Sequence, residues 1–346
     1  MGTNLKDFVA AKEISLEDLN HKKLVVDSYN ILYQFLSSIR QYDGTLLKDA
    51  NGKVTSHLSG LFHRTTKLMS YGIKLAFVFD GVAPKLKSAE RARRFELKKI
   101  AQVKYEIAKS EQDIDAMKKY AARISRLTPE IVDEAKELAA ALGCPIVQAP
   151  SEAEAQAAFM VRNNDAFAVA SEDYDSLIYG APKLIKNLTI TGRKKQKDRL
   201  SFETVMPCLI DLDSTLEKNG LSHAQLVVLS MLIGTDYNIG GIKGIGPKKA
   251  YKLVKGSSDF AAIFKALEWE KYFAFGWRDV FDLINNIPVK NNYTLEWKEI
   301  NHAKIMKILV DDHGFNSERV QAALDKVALA QKHNQQKGLG EFLCSQ

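Results

Sequence analysis

The sequence predicts an α/β protein with a central, mostly parallel twisted sheet that is flanked by helices. Four short apolar runs, "KLVVD", "KLAFVF", "CPIVQ" and "AFAVA", have the length and the apolar content of buried parallel strands. Segments with a helical pattern separate these runs along the chain. Such alternation is typical of a doubly wound sheet, whose ligands bind beyond the carboxyl ends of the strands.

Acidic side chains follow each of the four strands. They are Asp27 and Asp80 after the first two, Glu152 and Glu154 after "CPIVQ", and Asp173 and Asp175 after "AFAVA". A single Asp in such a position is as often a turn residue or a helix N-cap. Several carboxylates on one edge repel each other unless cations compensate them, so the repetition favours a metal site. The three cysteines and seven histidines do not cluster, which leaves oxygen ligands and predicts Mg²⁺, Mn²⁺ or Ca²⁺.

The stretch "APSEAEA" at 149–155 has two interpretations. Ser151 with Glu154 three residues later has the spacing of a capping box, which would explain one glutamate as part of a helix start. It leaves Glu152 unexplained. At the first turn of a helix both carboxylates can instead face the acidic edge, where the helix N-terminus eases their repulsion. The sequence leaves open whether Glu154 is a helix cap or a metal ligand.

The composition is that of a globular, basic protein. The chain has 346 residues, 46% of them hydrophobic, and Lys plus Arg outnumber Asp plus Glu by 49 to 42, giving a formal charge of +7. A basic balance favours a polyanionic partner such as nucleic acid. No apolar run approaches the roughly 18 residues of a membrane span, and the start lacks a secretory h-region. We therefore expect an intracellular protein with no membrane partner.

Residues 84–127 form a highly charged segment with a helical pattern and mostly Lys and Arg in its first third. Its sparse apolar positions exclude a fully buried helix. Two interpretations remain: a solvated helical hairpin, or a mobile basic arch over a phosphate chain. The next segment predicts a helix with Thr128 as N-cap, Pro129 at its first position and Gly143 past its end.

A glycine-rich turn near position 240 joins two predicted helices. Ser222 and Gln225 have capping-box spacing at the start of the first helix, and "GIGPKKA" opens the second. A P-loop is excluded because Pro247 stands where its lysine is required. The free N–H groups of this turn, flanked by Lys248 and Lys249, predict a phosphate contact that does not depend on base sequence.

Two further segments stand out by composition. The basic "TGRKKQKDRL" at 191–200 predicts an exposed hairpin or loop. From about Gln331 the chain is polar, which is typical of a disordered tail, yet Leu339, Phe342 and Leu343 are apolar. Because no core lies nearby in sequence, these three residues favour a pocket on a partner.

Six motifs in this order resemble a flap endonuclease of the structure-specific 5' nuclease family. They are "VVDSYNILYQFL", "FVFDGVAPKLKSAERARR", "APSEAEAQAA", "SEDYDSLIYG", "LIGTDYNIGGIKGIGPKKA" and "QKGLGEFL", and the likeness runs from Met1 to the tail. The resemblance implies the PIN-like 5' nuclease fold, with a helical arch and a helix-two-turn-helix module. The implied organisation is an N-terminal nuclease region (1–98), a helical arch (99–127), an internal nuclease region (128–258) with the helix-two-turn-helix module (about 222–256), a C-terminal helical region of the same catalytic domain (259–330) and a flexible tail (331–346).

The resemblance also implies the residues of the active site. A first Mg²⁺ would be held by Asp27, Asp80, Glu152 and Glu154, and a second by Asp173, Asp175 and Asp236, with Mn²⁺ able to substitute. Lys87 and Arg94 match the cations that contact the scissile phosphate, so catalysis is assigned to these two and the carboxylates together. The two cations are seven residues apart, which is two helical turns and puts both on one face if the segment is helical.

DNA contacts and a clamp contact follow from the same resemblance. Four of the DNA-binding residues would have distinct roles. Gly2 would present its amine, which is exposed after loss of Met1, Tyr33 would stack on a base, and Arg40 and Arg64 would lie at the duplex. The other DNA-binding residues would be Glu152, Gly234, Asp236, Gly244, Gly246, Lys248 and Lys249. K⁺ is a candidate ion at the helix-two-turn-helix module.

In the tail, residues 336–343 match the box that binds the sliding clamp PCNA, through Gln336, Leu339, Phe342 and Leu343, with Leu343 in place of the usual aromatic residue.

The predicted function is a Mg²⁺-dependent structure-specific 5' flap endonuclease with 5'–3' exonuclease activity. It would act as a monomer on branched DNA and leave a ligatable nick in Okazaki fragment processing and repair. The tail resembles the short archaeal form, so we expect the cytoplasm of an archaeal-type cell, or the nucleus of a eukaryote. Two alternatives remain: a sister 5' nuclease for nicks, bubbles or four-way junctions, and a non-catalytic clamp-bound DNA adaptor, which the presence of all seven acids disfavours.

Overall fold

A seven-stranded mixed sheet runs through the centre of the structure. The structure is a computed structural model that describes residues 3–189, 192–195 and 202–344, with side chains at all of these except 192–195, 202–204 and 333–344. The strands of the seven-stranded sheet are β1 (Ala11–Glu13), β2 (Lys23–Asp27), β3 (Lys74–Phe79), β4 (Ile146–Gln148), β5 (Ala168–Ala170), β6 (Lys183–Lys186) and β9 (Cys208–Asp211), while β7 (Gly192–Lys195) and β8 (Phe202–Val205) form a separate two-stranded sheet.

Helices cover both faces of this sheet. They are α1 (Ser28–Ser38), α2 (Ser56–Ser70), α3 (Ser88–Ser110), α4 (Ile114–Ile124), α5 (Pro129–Ala141), α6 (Ala153–Arg162), α7 (Asp175–Ile178), α8 (Leu212–Asn219), α9 (His223–Ile233), α10 (Pro247–Lys255), α11 (Phe260–Ala266), α12 (Trp277–Asn285), α13 (His302–Met306) and α14 (Ser317–Cys344). Short 3-10 turns lie at Glu17–Leu19, Lys85–Lys87 and Trp269–Lys271, and a π-helical turn lies at Lys307–Asp311.

Five adjacent strands of the sheet are parallel, which agrees with the mostly parallel sheet that the sequence predicts. The order across the sheet is β1-β9-β6-β5-β2-β3-β4. Strands β6, β5, β2, β3 and β4 pair in parallel, while β9 pairs antiparallel with β6 on one side and β1 on the other. Because parallel strands point the same way, the four strands that precede acidic residues all end on one rim of the sheet.

Both faces of the sheet are buried, which explains why the strands read as continuous apolar runs. Leu24 and Val26 of β2 belong to the core layer that also contains side chains of α1, α2 and α5. Val25, between them, belongs to the opposite layer with side chains of α6 and α9. Successive strand residues point to opposite faces, so two-sided burial requires apolar side chains at every position. Helix packing on both sides thus holds the rim of the sheet in place.

The helix starts predicted from the sequence at two places are confirmed. Thr128 Oγ1 accepts a hydrogen bond from the N–H of Ile131 at 3.4 Å, and Pro129 opens α5. In α9, Ser222 Oγ accepts from the N–H of Gln225 at 3.2 Å, and the Gln225 side chain accepts from the N–H of Ser222 at 2.8 Å. This is the predicted capping box.

The charged segment folds as a helical hairpin of α3 and α4. The hairpin begins at Ser88, within the range that the resemblance gives to the N-terminal region. Across α3, all of which the structure describes, only Glu90, Ala101 and Ala108 are buried. The expectation that this segment is not a buried core helix is therefore confirmed.

Several predicted features lie partly or wholly outside the described residues. Strands β7 and β8 pair antiparallel, which agrees with a hairpin, but residues 196–201 between them are not described. Gly2 also lies outside the described residues. Helix α14 covers the backbone of the clamp box, whose side chains, Gln336, Leu339, Phe342 and Leu343, are likewise not described. Within the described part of the chain, none of the helices is both long and apolar enough to cross a membrane.

An extended segment, residues 288–301, crosses the edge of the sheet opposite the acidic rim. The Trp297 indole N–H donates to the carbonyl of Leu75 at 2.8 Å, and the Lys298 N–H donates to the carbonyl of Gly143 at 2.9 Å. Gly143 ends α5 with φ +79°, and a Cβ on it would lie 2.1 Å from the Lys298 carbonyl oxygen. Glycine is therefore required here both by the backbone angle and by the close approach of this segment.

We predict that Gly143→Ala destabilises the protein more than Gly52→Ala. Gly52 has a similar φ of +82° but open space where a Cβ would lie, so its substitution costs only backbone strain, about 1 kcal/mol. Gly143→Ala adds the clash with Lys298, about 1 to 3 kcal/mol more. Urea denaturation of both variants measures the difference, and equal destabilisation would show that residues 288–301 yield freely.

Candidate active site

Seven carboxylates line one open cleft of about 630 Å³ at the rim of the sheet. They are Asp27, Asp80, Glu152, Glu154, Asp173, Asp175 and Asp236. The first six follow strands β2 to β5, as the sequence predicts, and Asp236 comes from the loop after α9. The structure thus brings together all the residues to which the resemblance gives a metal.

Helix α6 begins one residue later than a capping box at Ser151 requires. Its N-cap is Glu152, whose side chain makes no capping hydrogen bond. Instead, Asp80 Oδ1 accepts from the N–H of Ala153 at 2.6 Å. The capping-box interpretation of Ser151 and Glu154 is therefore wrong, because a carboxylate from a neighbouring strand end satisfies the helix start.

Glu154 is consequently free of a structural role at the helix start. The residue as a whole is half-buried, but its Oε1 atom is buried and has no hydrogen-bond partner among the described residues. Burial, and then the negative charges of Asp175, Asp27 and Asp173, raises the pKa of Glu154 well above its usual value. A buried carboxylate oxygen without a donor is costly unless a cation binds it. This observation favours the metal-ligand interpretation of Glu154.

Asp27 and Asp173 are held by two polar residues that sequence reasoning missed. Asn30 donates its backbone N–H to Asp27 Oδ1 at 3.2 Å and its side-chain amide to Asp173 Oδ2 at 3.0 Å. Ser171 Oγ lies 3.4 Å from Asp27 Oδ2. Burial, and then the charge of Asp80, raises the pKa of Asp27 to about 8. The signal available in the sequence was an Asn in the first turn of the helix that follows Asp27.

The N-terminal segment reaches the same cleft. The backbone N–H of Thr3 donates to Asp175 Oδ1 at 2.8 Å. Burial, and then the charge of Asp236, raises the pKa of Asp175 to about 6. Gly2 is the residue before Thr3 in the chain.

Lys87 and Arg94 both contact Asp236. They do not share one helix face in the way that their spacing would allow, because Lys87 ends the 3-10 turn at Lys85–Lys87 and is the N-cap of α3 rather than a residue within it. Lys87 Nζ contacts Glu152 Oε2 and lies 3.3 Å from Asp236 Oδ2. Arg94 Nη2 donates to both oxygens of Asp236, at 2.9 and 2.8 Å. Burial would lower the pKa of Lys87, but the charges of Glu152 and Asp236 outweigh it and raise that pKa. Both cations therefore stay charged beside the carboxylates.

The loop that carries Asp236 reads as a simple turn in the sequence, and internal hydrogen bonds hold it. Asn238 accepts from Thr235 Oγ1 at 2.7 Å and donates to the carbonyl of Met231 at 2.6 Å. Below the cleft, the hydroxyls of Tyr237 and Tyr179 lie 2.5 Å apart. Neither tyrosine was a candidate from the sequence, because their partnership depends on residues 58 positions apart.

The predicted DNA-binding residues that the structure describes lie in four places: the carboxylate cleft, the surroundings of Arg40, helix α2 and the glycine turn between α9 and α10. Tyr33 lines the carboxylate cleft, is 39% exposed and has Lys98 Nζ 5.0 Å from its ring centre. Arg40 contacts the Gly44 carbonyl at 2.6 Å and Ser125 at the end of α4, outside the cleft. Arg64 lies on α2, also outside the cleft.

The glycine turn between α9 and α10 is separate from the cleft. Gly234 has φ +116°, and a Cβ there would lie 2.6 Å from the N of Gly241. Gly244 and Gly246 border open space, and Lys248 and Lys249 are exposed at the start of α10. Lys249 Nζ donates to the Gly244 carbonyl at 3.1 Å. The first N–H groups of α10 lack helical partners, so this turn has the donors that a phosphate contact requires.

The donor chemistry of the cleft fits a hard divalent cation such as Mg²⁺. All seven candidate ligands are carboxylates, and Glu154 has a buried oxygen to which no described residue donates. In the described part of the chain, no three His, Cys, Asp or Glu side chains already surround a point suited to an ion. Protein donors, Lys87, Arg94 and the N–H of Ala153, hold the oxygens of Glu152, Asp236 and Asp80 instead.

Comparisons with known proteins match the regions of the chain that contain this cleft. Residues 2–101 match the XPG N-terminal domain, and residues 143–236 match the XPG I-region, so the two matched regions together contain all seven carboxylates and both cations. Flap endonuclease 1 of Hyperthermus butylicus is 46% identical over 349 residues, 99% of this chain and 99% of the relative. Flap endonuclease 1 of Pyrococcus horikoshii is 44% identical, over 98% of this chain and 97% of the relative.

A solved structure is similar over nearly the whole chain. Flap endonuclease-1 from Methanococcus jannaschii superposes with a TM-score of 0.75 at 38% identity, covering 96% of this chain and 100% of the other. The sequence identity and the fold therefore point to the same relatives. The chain belongs to the flap endonuclease 1 family of XPG-type, metal-dependent nucleases.

Proposed function

We propose that this protein is a structure-specific 5' flap endonuclease with 5'–3' exonuclease activity, which leaves a ligatable nick in DNA replication and repair. One observation carries the proposal: seven carboxylates and two paired cations meet in one cleft of a chain that belongs to the flap endonuclease family. Carboxylates suit divalent metal ions, and the cations suit a phosphate. The substrate would be branched DNA, cut at the junction of single strand and duplex.

Two Mg²⁺ ions are proposed for the cleft, with Mn²⁺ able to replace them. The first would be held by Asp27, Asp80, Glu152 and Glu154, and the second by Asp173, Asp175 and Asp236. Bound Mg²⁺ would supply a hydroxide at neutral pH and stabilise charge on the leaving oxygen. Asn30 would orient two of the ligands, because it donates to Asp27 and Asp173 at once.

Lys87 and Arg94 would bind the scissile phosphate. They lie at the base of the helical hairpin and already touch the carboxylates of the cleft. With metal on the carboxylates, the two side chains would be free to meet a phosphate, whose developing charge they would stabilise. Tyr33, partly exposed in the same cleft, would stack on a base beside the cut.

The remaining contacts would lie outside the cleft. Arg40, Arg64 and the turn with Gly244, Lys248 and Lys249 would hold duplex DNA through its phosphates, with K⁺ as a candidate ion at that turn. Residues 336–343 would bind the sliding clamp PCNA. We propose that the chain acts as a monomer.

Asp173→Asn is expected to lower the rate of cutting of a double-flap DNA by at least about 1,000-fold in Mg²⁺, because one ligand charge is lost from the cleft. Asp213→Asn on α8 is the matched control, since Asp213 is exposed and lies outside the cleft, and its rate should not change. Mapping of the cut position measures reaction and substrate together. A wild-type chain that leaves the flap intact at saturating metal, or that cuts a bubble or four-way junction in preference, contradicts the proposal.

Asp175→Asn is expected to stabilise the metal-free protein at pH 8. Because the pKa of Asp175 is raised to about 6 and that of Asp27 to about 8, the folded state binds more protons than the unfolded state between about pH 4 and 8. Its stability therefore falls as pH rises through this window. Removing one carboxylate should restore about 1 to 3 kcal/mol at pH 8 and very little at pH 4.

Thermal unfolding in EDTA and in Mg²⁺ measures this effect. Wild type should gain stability from Mg²⁺ at pH 8, and Asp175→Asn should gain less because it has lost a ligand. Asp213→Asn again serves as control. A metal-free wild type that becomes more stable between pH 6 and pH 8 would show that the carboxylates do not repel each other in the fold.

Helices α3 and α4 are expected to exchange amide hydrogens more slowly when branched DNA is bound, if they form an arch over the 5' strand. Hydrogen exchange with Ca²⁺ in place of Mg²⁺ makes the comparison without turnover. Helix α5, whose apolar face is buried in the core, supplies the internal control. Equal exchange of α3 and α4 with and without DNA would leave only a static hairpin.

A further inference from the structure

Glu90 is a buried carboxylate that no step of the proposed reaction uses. It lies in the first turn of α3 and is 3% exposed. Its Oε2 accepts from Arg93 Nε at 2.7 Å, and its Oε1 accepts from Arg93 Nη2 at 2.8 Å and from Arg94 Nε at 2.6 Å. Both oxygens are therefore occupied by guanidinium groups.

Two carboxylates hold the Arg94 guanidinium from two sides. Glu90 takes its Nε edge, and Asp236 takes Nη2 through both oxygens at 2.9 and 2.8 Å. A guanidinium is planar and presents its donors in a fixed fork, so holding one edge determines where the other edge points. Asp236 is one of the carboxylates assigned to metal, whereas Glu90 is buried outside that set.

An ordinary acidic residue at a helix start would look different. Such residues are usually exposed, and their pairs three or four residues apart contribute only a few tenths of a kcal/mol. Glu96 and Lys99 on the same helix form such a pair, at 2.8 Å, with side chains 61% and 53% exposed. Burial would raise the pKa of Glu90, but the hydrogen bonds from Arg93 and Arg94 and their charges outweigh it and lower that pKa. Glu90 thus stays ionised where an unpaired carboxylate would not.

We propose that Glu90 is a positioning residue for Arg94. It anchors the Nε edge while Nη2 exchanges Asp236 for an oxygen of the scissile phosphate. Arg93 binds the same carboxylate and keeps it fixed and charged. The inference rests on the proposed function, in which Arg94 meets the phosphate. An anchored guanidinium has already lost its rotamer freedom before the substrate arrives, and displacement of such a group by about 1 Å can cost about 100-fold in rate.

The test is a mutant cycle on the full chain with branched DNA and Mg²⁺. Glu90→Gln, Arg94→Ala and the double variant are compared with wild type, and Glu96→Gln is the matched control. Glu90→Gln should lower kcat by about 10- to 100-fold with little change in KM, because the contact it supports forms at the reacting phosphate. The double variant should be no slower than Arg94→Ala, since the anchor has nothing left to hold. Glu96→Gln should cut like wild type.

Each outcome decides the inference. Glu90→Gln overturns the inference if it cuts like wild type. It also overturns the inference if it slows the Arg94→Ala variant by the same factor as it slows wild type, because Glu90 then acts independently of Arg94. Thermal unfolding and Glu90→Asp, which keeps the charge and should retain part of the rate, guard against loss of the fold. A wild-type chain that leaves flap DNA uncut would overturn the proposed function and this inference with it, whereas additive losses in an active enzyme overturn the inference alone.

Discussion

Electrostatic repulsion among the carboxylates at one rim of the sheet is the constraint on which the rest of the site depends. Parallel strands place them there because their carboxyl ends lie on one rim, and helix packing on both faces holds that rim in place. Burial, and then this repulsion, raises the pKa values of Asp27, Asp175 and Glu154. Such an arrangement lowers the stability of the metal-free fold. Its presence therefore implies a cation site whose function outweighs this loss of stability.

The protein meets part of this repulsion with its own donors, and the choice of donors links the cleft to the hairpin. Lys87 and Arg94 stand at the base of α3 and bind Glu152 and Asp236. A divalent ion on these carboxylates would compete directly with the two side chains. Metal binding would thereby be coupled to the position of the hairpin base, since the same oxygens cannot serve both partners fully at once.

The sequence predicted the fold and most of the site because those features are local. Apolar runs reveal buried strands, and a carboxylate after each run reveals the rim, so Asp27, Asp80, Asp173 and Asp175 needed no knowledge of tertiary contacts. The start of α6 was misread because its cap is Asp80, which precedes Ala153 by 73 residues. Asn30 could not be identified from the sequence for the same reason, because its side-chain amide donates to Asp173, which is 143 residues away. Asp236 was predicted only through the family resemblance, because the sequence around it has the pattern of a simple turn. The tertiary contact beside it, between the hydroxyls of Tyr179 and Tyr237, is visible only in the structure.

Asp236 also joins the chemistry of the cleft to the glycine turn. Only one short loop separates it from Gly241, and the Ile242 N–H donates to the carbonyl of Leu232 at 3.0 Å, which closes that loop on the end of α9. Gly234 permits this closure because any Cβ there would strike the Gly241 backbone. A duplex held at Gly244 and Lys249 would therefore be connected to a site carboxylate through a tightly bonded loop rather than a flexible linker. That connection gives a physical basis for selection by DNA structure: a duplex placed at the turn would set the position of the junction relative to Asp236, and the base sequence would not enter.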